Sequence, residues 1–483
     1  MGCASRRLAV LVAMLLPAAN LAAIVPAANP AAAIAAAAGH PAHRHLRAEA
    51  SWSREGRTGT ATLEIAGAAR LERECSAGLC SGTWFDGSHG AAFGINGTLF
   101  PFDAAQDAAG RSFAAIASTA FAEPEFLAGG GTVTPLPATS DARLRYRVRA
   151  AQGAELVAVA DPRTLRLTAV EWPDGTPYRQ LVAGVSGSTV IYGTQAYDRI
   201  ATADGPLSAP AGPAVSLAGA RDLPLLEQSL PLVPCSLNGR TATCLLDTGT
   251  TPSAVTLDFA ERLEREPHGE IEVSGLGSYL TGAIDAGPLV LGGATFGALH
   301  FAVIPRTRGP AFDVVLGSDV LATLSLTIET GRRRARVGPP GADRRGAAIA
   351  LALSAGLPFA PVRLAGREES EPMLVDTGDT QGISIGYDRY REDSGLFAVR
   401  SATVAAGAAG TPMDALAGTL DRADVGGRPF ENVPISAVRG QHIGHVGYGL
   451  VARCAPLTID LGRRLMRCGP EVASGGPAPT GEP

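Results

Sequence analysis

The sequence places one short motif, Asp-Thr-Gly, at two positions that each follow a run of apolar residues. The first copy occupies residues 247–249 after Cys-Leu-Leu, and the second occupies residues 376–378 after Met-Leu-Val. An apolar strand that ends in a tight turn holds a carboxylate rigidly, and two such carboxylates that face each other share one proton. Such a pair can activate water and polarise a carbonyl group. A single Asp-Thr-Gly is weak evidence, because an Asp in a turn often only caps its own backbone.

The two motifs lie at equivalent places in an internal repeat. Four blocks recur in the same order and predict two copies of one β-rich unit of about 120 residues. The paired blocks are Leu-Pro-Leu-Val-Pro (230–234) with Leu-Pro-Phe-Ala-Pro (357–361), the two Asp-Thr-Gly motifs, Leu-Gly-Gly-Ala-Thr-Phe (291–296) with Val-Gly-Gly-Arg-Pro-Phe (425–430), and Leu-Thr-Ile-Glu-Thr-Gly-Arg-Arg (326–333) with Leu-Thr-Ile-Asp-Leu-Gly-Arg-Arg (457–464).

The first copy resembles the retropepsin-like family of aspartic peptidases, and the second copy resembles it more loosely. The resemblance covers residues 225–340 and 346–470. The motifs that carry it in the first copy are the strand and turn at 244–250, Ser-Ala-Val-Thr-Leu at 253–257, a Gly-rich stretch at 275–278 where the family has its flap, and Val-Val-Leu-Gly at 314–317 before a short helix.

The resemblance implies a mainly β protein in which two retropepsin-like β-barrel repeats form a pseudo-dimer. The strand pattern of the segment before them adds an antiparallel β-sheet domain. It implies an aspartic peptidase that cuts peptide or protein substrates with water activated between Asp247 and Asp376, without a metal or organic cofactor. The residues that it places in the supporting turns are Thr248, Gly249, Thr250, Thr377 and Gly378.

The second copy departs from the family pattern in two places. Asp379 stands where the family has a small residue, as the first copy has Thr250, and the later block changes to His-Val-Gly-Tyr-Gly-Leu at 445–450. Three readings remain: the second copy is an active half, it is a degenerate half so that Asp247 needs a second chain, or the protein is a non-catalytic periplasmic protein that binds peptide or lipid.

The N-terminus predicts export. Arg6 and Arg7 precede an apolar run at 8–16, and small residues offer cleavage sites near Ala23 or Ala28. No later apolar run is long enough to span a bilayer, so the sequence predicts a periplasmic or secreted protein that does not span the membrane after signal removal.

The segment after the signal predicts a β-rich domain, because residues 60–65, 143–149 and 165–172 alternate with the period of a strand. It faintly resembles the periplasmic lipoprotein-carrier fold, through Asp-Pro-Arg-Thr at 161–164 and Trp-Pro-Asp-Gly at 172–175. The resemblance implies a lipid, acyl or extended peptide ligand, and a module that only presents substrate is the alternative. The predicted division is signal 1–28, Ala/Pro/His-rich linker 29–45, β-rich domain 46–202, linker 203–224, first repeat 225–340, second repeat 346–470 and flexible tail 471–483.

Six cysteines follow the signal, and an even number behind an export signal favours disulfides. Free buried thiols are the alternative, and no histidine lies at zinc-ligand spacing from them. Proximity in the sequence predicts the pairs Cys75–Cys80, Cys235–Cys244 and Cys454–Cys468.

The histidines predict no metal site. His40, His43 and His45 lie close together, but a flexible linker cannot hold ligand geometry. His442 and His445 lack a partner motif and are predicted to be loop residues.

Two other functions are weakly supported. Gly-Ile-Ser-Ile-Gly at 382–386 fits the pattern of a serine hydrolase elbow around Ser384, but that elbow needs a helix after it and a strand is the better prediction here. Nucleic-acid binding is disfavoured, because the net charge is −5 and no basic stripe is present.

Overall fold

The structure, a computed structural model, is mainly β, as the sequence predicts. It describes residues 45–54, 57–117, 121, 124–137, 142–165, 167–179, 190–192, 195–197, 199–202, 207–275, 277–305, 312–406 and 412–470. The predicted signal at 1–28, nearly all of the linker at 29–45, including His40 and His43, and the tail at 471–483 lie outside these residues. Among the described residues, no helix combines the length and the apolar character that crossing a bilayer requires.

The N-terminal domain consists of antiparallel sheets around one long helix. Its strands are β1 (His45–Arg54), β2 (Arg57–Ala66), β3 (Ala69–Ser76), β4 (Leu79–Phe85), β5 (Gly90–Phe93), β6 (Leu99–Pro101), β7 (Thr132–Pro135), β8 (Leu144–Arg149), β9 (Leu156–Ala160), β10 (Leu167–Glu171), β11 (Pro177–Arg179), β12 (Val190–Tyr192), β13 (Gln195–Tyr197) and β14 (Arg199–Thr202). Its helices are α1 (Ala104–Ala117) and α2 (Pro124–Ala128).

Two sheets of this domain have the orders β14-β1-β2-β3-β4-β5-β6 and β11-β10-β9-β8-β7. Phe113 and Ile116 of α1 are fully buried and join a core that both sheets share. The alternating segments that predict strands lie in β2, β8 and β10. The likeness to a lipoprotein carrier stays a prediction.

The next segment, residues 215–338, is called the first lobe. Its strands are β15 (Val215–Leu217), β16 (Arg221–Pro224), β17 (Leu232–Leu237), β18 (Arg240–Leu246), β19 (Ala254–Thr256), β20 (His268–Gly275), β21 (Gly277–Ala286), β22 (Leu289–Leu291), β23 (Ala294–Phe296), β24 (Leu299–Ile304), β25 (Val314–Leu316), β26 (Ser325–Glu329) and β27 (Arg334–Gly338). Its helices are α3 (Leu257–Arg262), α4 (Ser318–Leu321) and a 3-10 turn at Thr330–Arg332.

The last segment, residues 347–468, is called the second lobe. Its strands are β28 (Ala347–Ala350), β29 (Ala352–Ser354), β30 (Leu357–Leu364), β31 (Glu371–Asp376), β32 (Ile383–Gly386), β33 (Ala398–Ala406), β34 (Pro412–Val425), β35 (Arg428–Val438), β36 (His445–Gly447), β37 (Leu457–Asp460) and β38 (Leu465–Cys468). Its helices are α5 (Tyr387–Glu392), α6 (Tyr448–Val451) and a 3-10 turn at Leu461–Arg463.

Corresponding strands pair in the same order in the two lobes. The first lobe contains the order β17-β18-β25-β19-β24-β21-β20, and the second contains β30-β31-β36-β32-β35-β34-β33. In both lobes the strand before Asp-Thr-Gly pairs in parallel with the strand before the short helix, β18 with β25 and β31 with β36. One hydrophobic core runs through both lobes.

A sheet with the order β16-β27-β26-β37-β38-β28 joins the lobes. At its centre Thr327 pairs with Thr458, and their hydroxyl oxygens lie 3.0 Å apart. The segment 203–224, predicted to be a linker, differs from that prediction, because β15 pairs with β23 and β16 pairs with β27. The Pro- and Gly-rich composition of this segment predicts a loop. Its residues nevertheless form β16, which is one edge strand of the sheet that joins the lobes, and β28 of the second lobe is the other edge strand.

The three predicted disulfides are confirmed. They join Cys75 to Cys80, Cys235 to Cys244 and Cys454 to Cys468. Each closes a hairpin or short loop, and disulfides of this number fit an oxidising compartment.

Candidate active site

Both Asp-Thr-Gly motifs form tight turns at the ends of buried strands. Asp247 follows β18 and Asp376 is the last residue of β31, so each carboxylate is carried by a strand in the core. Asp247 Oδ1 accepts a hydrogen bond of 2.8 Å from the Gly249 amide, and Asp376 Oδ1 accepts one of 2.9 Å from the Gly378 amide. Each Asp therefore caps its own turn, which fixes the direction of the carboxylate.

The two turns are joined by reciprocal hydrogen bonds through buried threonines. The Thr248 amide donates to Thr377 Oγ1 at 3.0 Å, and the Thr377 amide donates to Thr248 Oγ1 at 3.2 Å. The Thr248 hydroxyl donates to the carbonyl of Val375, and the Thr377 hydroxyl donates to that of Leu246, each at 2.6 Å. The turns thus hold each other in one relative position.

The glycines of the turns leave room for the opposite carboxylate. A Cβ atom at Gly249 would overlap the carboxyl group of Asp376, and a Cβ atom at Gly378 would overlap that of Asp247. Any larger residue would push the carboxylates apart. The structure therefore brings Asp247 and Asp376 together across the lobe boundary, with each carboxyl group against the glycine of the opposite turn.

The two carboxyl groups have different electrostatic environments. Burial, and next the charge of Asp376, raise the pKa of Asp247 well above its ordinary value. Burial alone would raise the pKa of Asp376, but the hydrogen bond and charge of His445 outweigh it and lower that pKa. The pair therefore favours a protonated Asp247 and an ionised Asp376, although its proton belongs to both groups.

His445 and Asp379 complete a cluster of ionisable groups on the second-lobe side. His445 Nδ1 lies 3.4 Å from Asp376 Oδ2 and 3.8 Å from Asp379 Oδ2. Burial alone would lower the pKa of His445, but the hydrogen bond and charge of Asp376 outweigh it and raise that pKa. Burial and the charge of Asp376 raise the pKa of Asp379. The third carboxyl group thus faces the imidazole.

His445 is not the loop residue that the sequence predicts. It begins β36 and takes the position that Val315 has in β25, since Ser384 pairs with it as Ala254 pairs with Val315. The sequence repeat already distinguishes this position, because a histidine stands two residues before Gly447 where the first copy has a valine two residues before Gly317. His442 is exposed.

The remaining predicted residues are also placed. The Thr250 carbonyl accepts a hydrogen bond of 2.9 Å from the Ser318 amide at the start of α4. In the second lobe the Asp379 carbonyl accepts one of 2.7 Å from the Tyr448 amide at the start of α6. Thr250 and Asp379 therefore have the same backbone role in the two lobes. Ser384 lies in strand β32 rather than at an elbow, and its hydroxyl contacts Asp379 Oδ2 at 3.3 Å.

Each lobe extends a long hairpin. In the first lobe β20 and β21 form it, with its tip at the predicted Gly-rich stretch, although residue 276 lies outside the described residues. In the second lobe β33 and β34 form it. Leu280 is 44% exposed and Val404 is 63% exposed, so both hairpins carry apolar side chains open to solvent.

Part of the first lobe matches a known family, and this part includes one of the two turns. The family model described as aspartyl protease matches residues 233–320, which contain Asp247 but not Asp376. The chain thus has an aspartyl protease-like domain. A search of the curated proteins gives no match.

Solved structures give weak likenesses. Basic 7S globulin from soybean has 11% identity and a TM-score of 0.33 over 53% of this chain and 95% of that one. Conglutin gamma, a basic 7S globulin from lupine seeds, has 11% identity and a TM-score of 0.33 over 52% and 95%. A retropepsin-like aspartic protease from Rickettsia conorii has 20% identity and a TM-score of 0.19 over 25% and 86%. These scores are too low to support an inference.

Proposed function

We propose that this protein is an exported aspartic peptidase whose two lobes form a retropepsin-like pseudo-dimer within one chain. The observation that carries the proposal is the set of reciprocal hydrogen bonds between Thr248 and Thr377, which holds Asp247 and Asp376 face to face. Two partly buried carboxyl groups in contact cost folding free energy, because charge is removed from water. A protein with a purely structural role gains nothing in return for this cost.

The environment of each carboxyl group assigns its role in peptide hydrolysis. Ionised Asp376 takes a proton from a water molecule, whose oxygen forms a bond to the carbonyl carbon of the peptide. Protonated Asp247 donates its proton to the carbonyl oxygen as negative charge develops there. The tetrahedral intermediate then collapses: ionised Asp247 takes a proton back from one of its two hydroxyl groups as the carbonyl re-forms, the C–N bond breaks, and the amine leaves with the proton from Asp376. These transfers restore the starting protonation of the pair.

The N-terminal domain is proposed to position the substrate. A cleft of about 330 Å³ lies between that domain and the first lobe. Its lining includes Trp52, Phe93 and Phe100 of the N-terminal domain and Glu270 and Glu272 of β20. This combination suits a peptide with an apolar side chain next to a basic one. A lipid or acyl ligand for the N-terminal domain is the other proposal that its β-sheet architecture leaves open.

Cleavage of a peptide library by the full chain, from acid to mildly alkaline pH, tests the proposed function. The blank is the double variant Asp247→Asn/Asp376→Asn, which keeps the shape of both turns. Cleavage by the wild type that the blank lacks supports the proposal. Intact peptides at every pH contradict it and favour the non-catalytic peptide- or lipid-binding protein.

Replacing His445 with valine, the residue at the corresponding place in the first lobe, should shift the acid limb of the pH–rate profile. The imidazolium lowers the pKa of Asp376, so its removal raises that pKa and the base becomes ionised only at higher pH. We expect the acid limb of kcat/KM to move up by about one pH unit. Steady-state kinetics across pH measure it.

His442→Val is the matched control, because His442 is an exposed histidine three residues before His445. Its profile should coincide with that of the wild type. An unchanged acid limb in His445→Val would show that the imidazole does not set the protonation of Asp376.

A further inference from the structure

Three side chains of the metal-ligating kind meet at the base of the β20–β21 hairpin in the first lobe. They are His268, Asp285 and His300. We propose that they form a binding site for a divalent transition-metal ion of the zinc type. The site is separate from the carboxyl pair, and neither its ligands nor its occupant takes part in the proposed hydrolysis.

The distances in the cluster are close to those of a metal site. His300 Nδ1 lies 2.5 Å and His268 Nε2 lies 3.1 Å from Asp285 Oδ1. One ligand atom from each residue lies within 4.8 Å of the other two. Bonds of about 2.0–2.2 Å in a tetrahedral zinc site place ligand atoms about 3.3–3.6 Å apart. Small side-chain rotations therefore suffice to surround an ion.

The backbone places all three side chains on one face of the sheet. Asp285 is paired directly with His300, and His268 is paired with Ala283, two residues before Asp285. Residues two apart on a strand point to the same face, so His268 and Asp285 are diagonal neighbours. Strand positions hold ligands more precisely than loop positions do.

Two further observations point to a ligand. Among the described residues, the solvent-shielded Nε2 of His268 has no hydrogen bond of acceptable geometry, although it lies beside the carboxylate. The His300 peptide is held from both sides by Asn96, whose Nδ2 donates to its carbonyl at 2.9 Å and whose Oδ1 accepts from its amide at 2.8 Å. A coordinated ion would give the His268 nitrogen a partner, and the two bonds from Asn96 fix the backbone from which the His300 ring projects.

The chemistry of the ligands selects the ion. Two imidazoles and one carboxylate suit zinc, cobalt, nickel or copper, and they suit calcium and magnesium poorly because those ions prefer oxygen. The side chains of His268, Asp285 and His300 are 36%, 58% and 32% exposed. A water molecule can therefore reach the fourth coordination position of an ion that these three ligands bind. A bound ion would join β20, β21 and β24 and so stabilise the base of the hairpin.

Titration of the full chain with Co²⁺, after treatment with a chelator, tests the site. We expect one equivalent of Co²⁺ to bind with visible absorption bands of low-symmetry four- or five-coordination, and Zn²⁺ to displace it. His268→Gln and His300→Gln should each weaken binding by at least about tenfold, because each removes a ligand. His442→Gln should bind as the wild type does.

The melting temperature gives a second measurement that does not depend on activity. Zn²⁺ should raise it in the wild type and in His442→Gln, and at the same concentration should raise it less in His268→Gln and His300→Gln. Far-UV circular dichroism without metal shows whether the variants are folded, and Asp285→Asn replaces either histidine variant that is not. Equal Co²⁺ binding in the wild type and a folded ligand variant, or no binding to the wild type, would overturn the proposal and leave a hydrogen-bonded His–Asp–His cluster.

Discussion

Asp247→Asn and Asp376→Asn should each lower kcat for peptide cleavage by about a thousandfold, with little change in KM. An asparagine keeps the shape of the carboxyl group but neither donates nor accepts the proton at neutral pH, and a positioned acid or base contributes about 10²–10⁴-fold. Both variants lose the same step, because the attack of water needs one carboxyl group as the base and the other as the acid. Steady-state kinetics with one peptide from the library measure the loss.

The control is Asp421→Asn, which changes an exposed aspartate of β34 and should leave kcat unchanged. The two turn variants should fold, because the side-chain amide oxygen of Asn can still accept from the Gly249 or Gly378 amide. Full activity of Asp376→Asn would contradict a dyad with one carboxylate from each lobe. It would favour a site completed by Asp247 of a second chain.

Thr248→Val should destabilise the lobes by about 2–6 kcal/mol. Valine has nearly the same shape, but it leaves the buried Val375 carbonyl and the Thr377 amide without the partners that they have now. Each buried polar group that loses its partner costs about 1–3 kcal/mol. Urea unfolding followed by far-UV circular dichroism measures the change in the free energy of unfolding.

Tryptophan fluorescence gives an internal control for this variant. All three tryptophans lie in the N-terminal domain, at Trp52, Trp84 and Trp172. The urea concentration at the midpoint of the fluorescence transition should therefore be the same in Thr248→Val and the wild type. Thr323→Val is the matched control, because the Thr323 hydroxyl donates to the carbonyl of Val320, three residues before it in the chain. Equal stability of Thr248→Val and Thr323→Val would show that the bonds between the turns do not hold the lobes together.

The carboxyl pair could be predicted from the sequence because its signals are local. An apolar strand followed by Asp-Thr-Gly defines a turn, and the repeat shows that Asp247 and Asp376 occupy equivalent places. The cysteine pairs were predictable for the same reason, since each closes a short loop. Locality also identified the alternating strands β2, β8 and β10.

Features that depend on tertiary contacts could not be predicted. His445 faces Asp376 only because β36 lies parallel to β31, a pairing that spans the second lobe. The linker segment 203–224 contains strands because β23 and β27 leave edges for it to cover, which its own composition does not reveal. His268 and His300 are far apart in sequence and meet only through the register of three strands.

Mixing the two single variants tests the intramolecular dyad most directly. We predict that Asp247→Asn and Asp376→Asn together show no more cleavage than either alone, and that the specific activity of the wild type is independent of protein concentration. Both results follow if one chain supplies both carboxyl groups. Cleavage restored in the mixture, or specific activity that rises with concentration, would show that two chains build the site and would contradict the account.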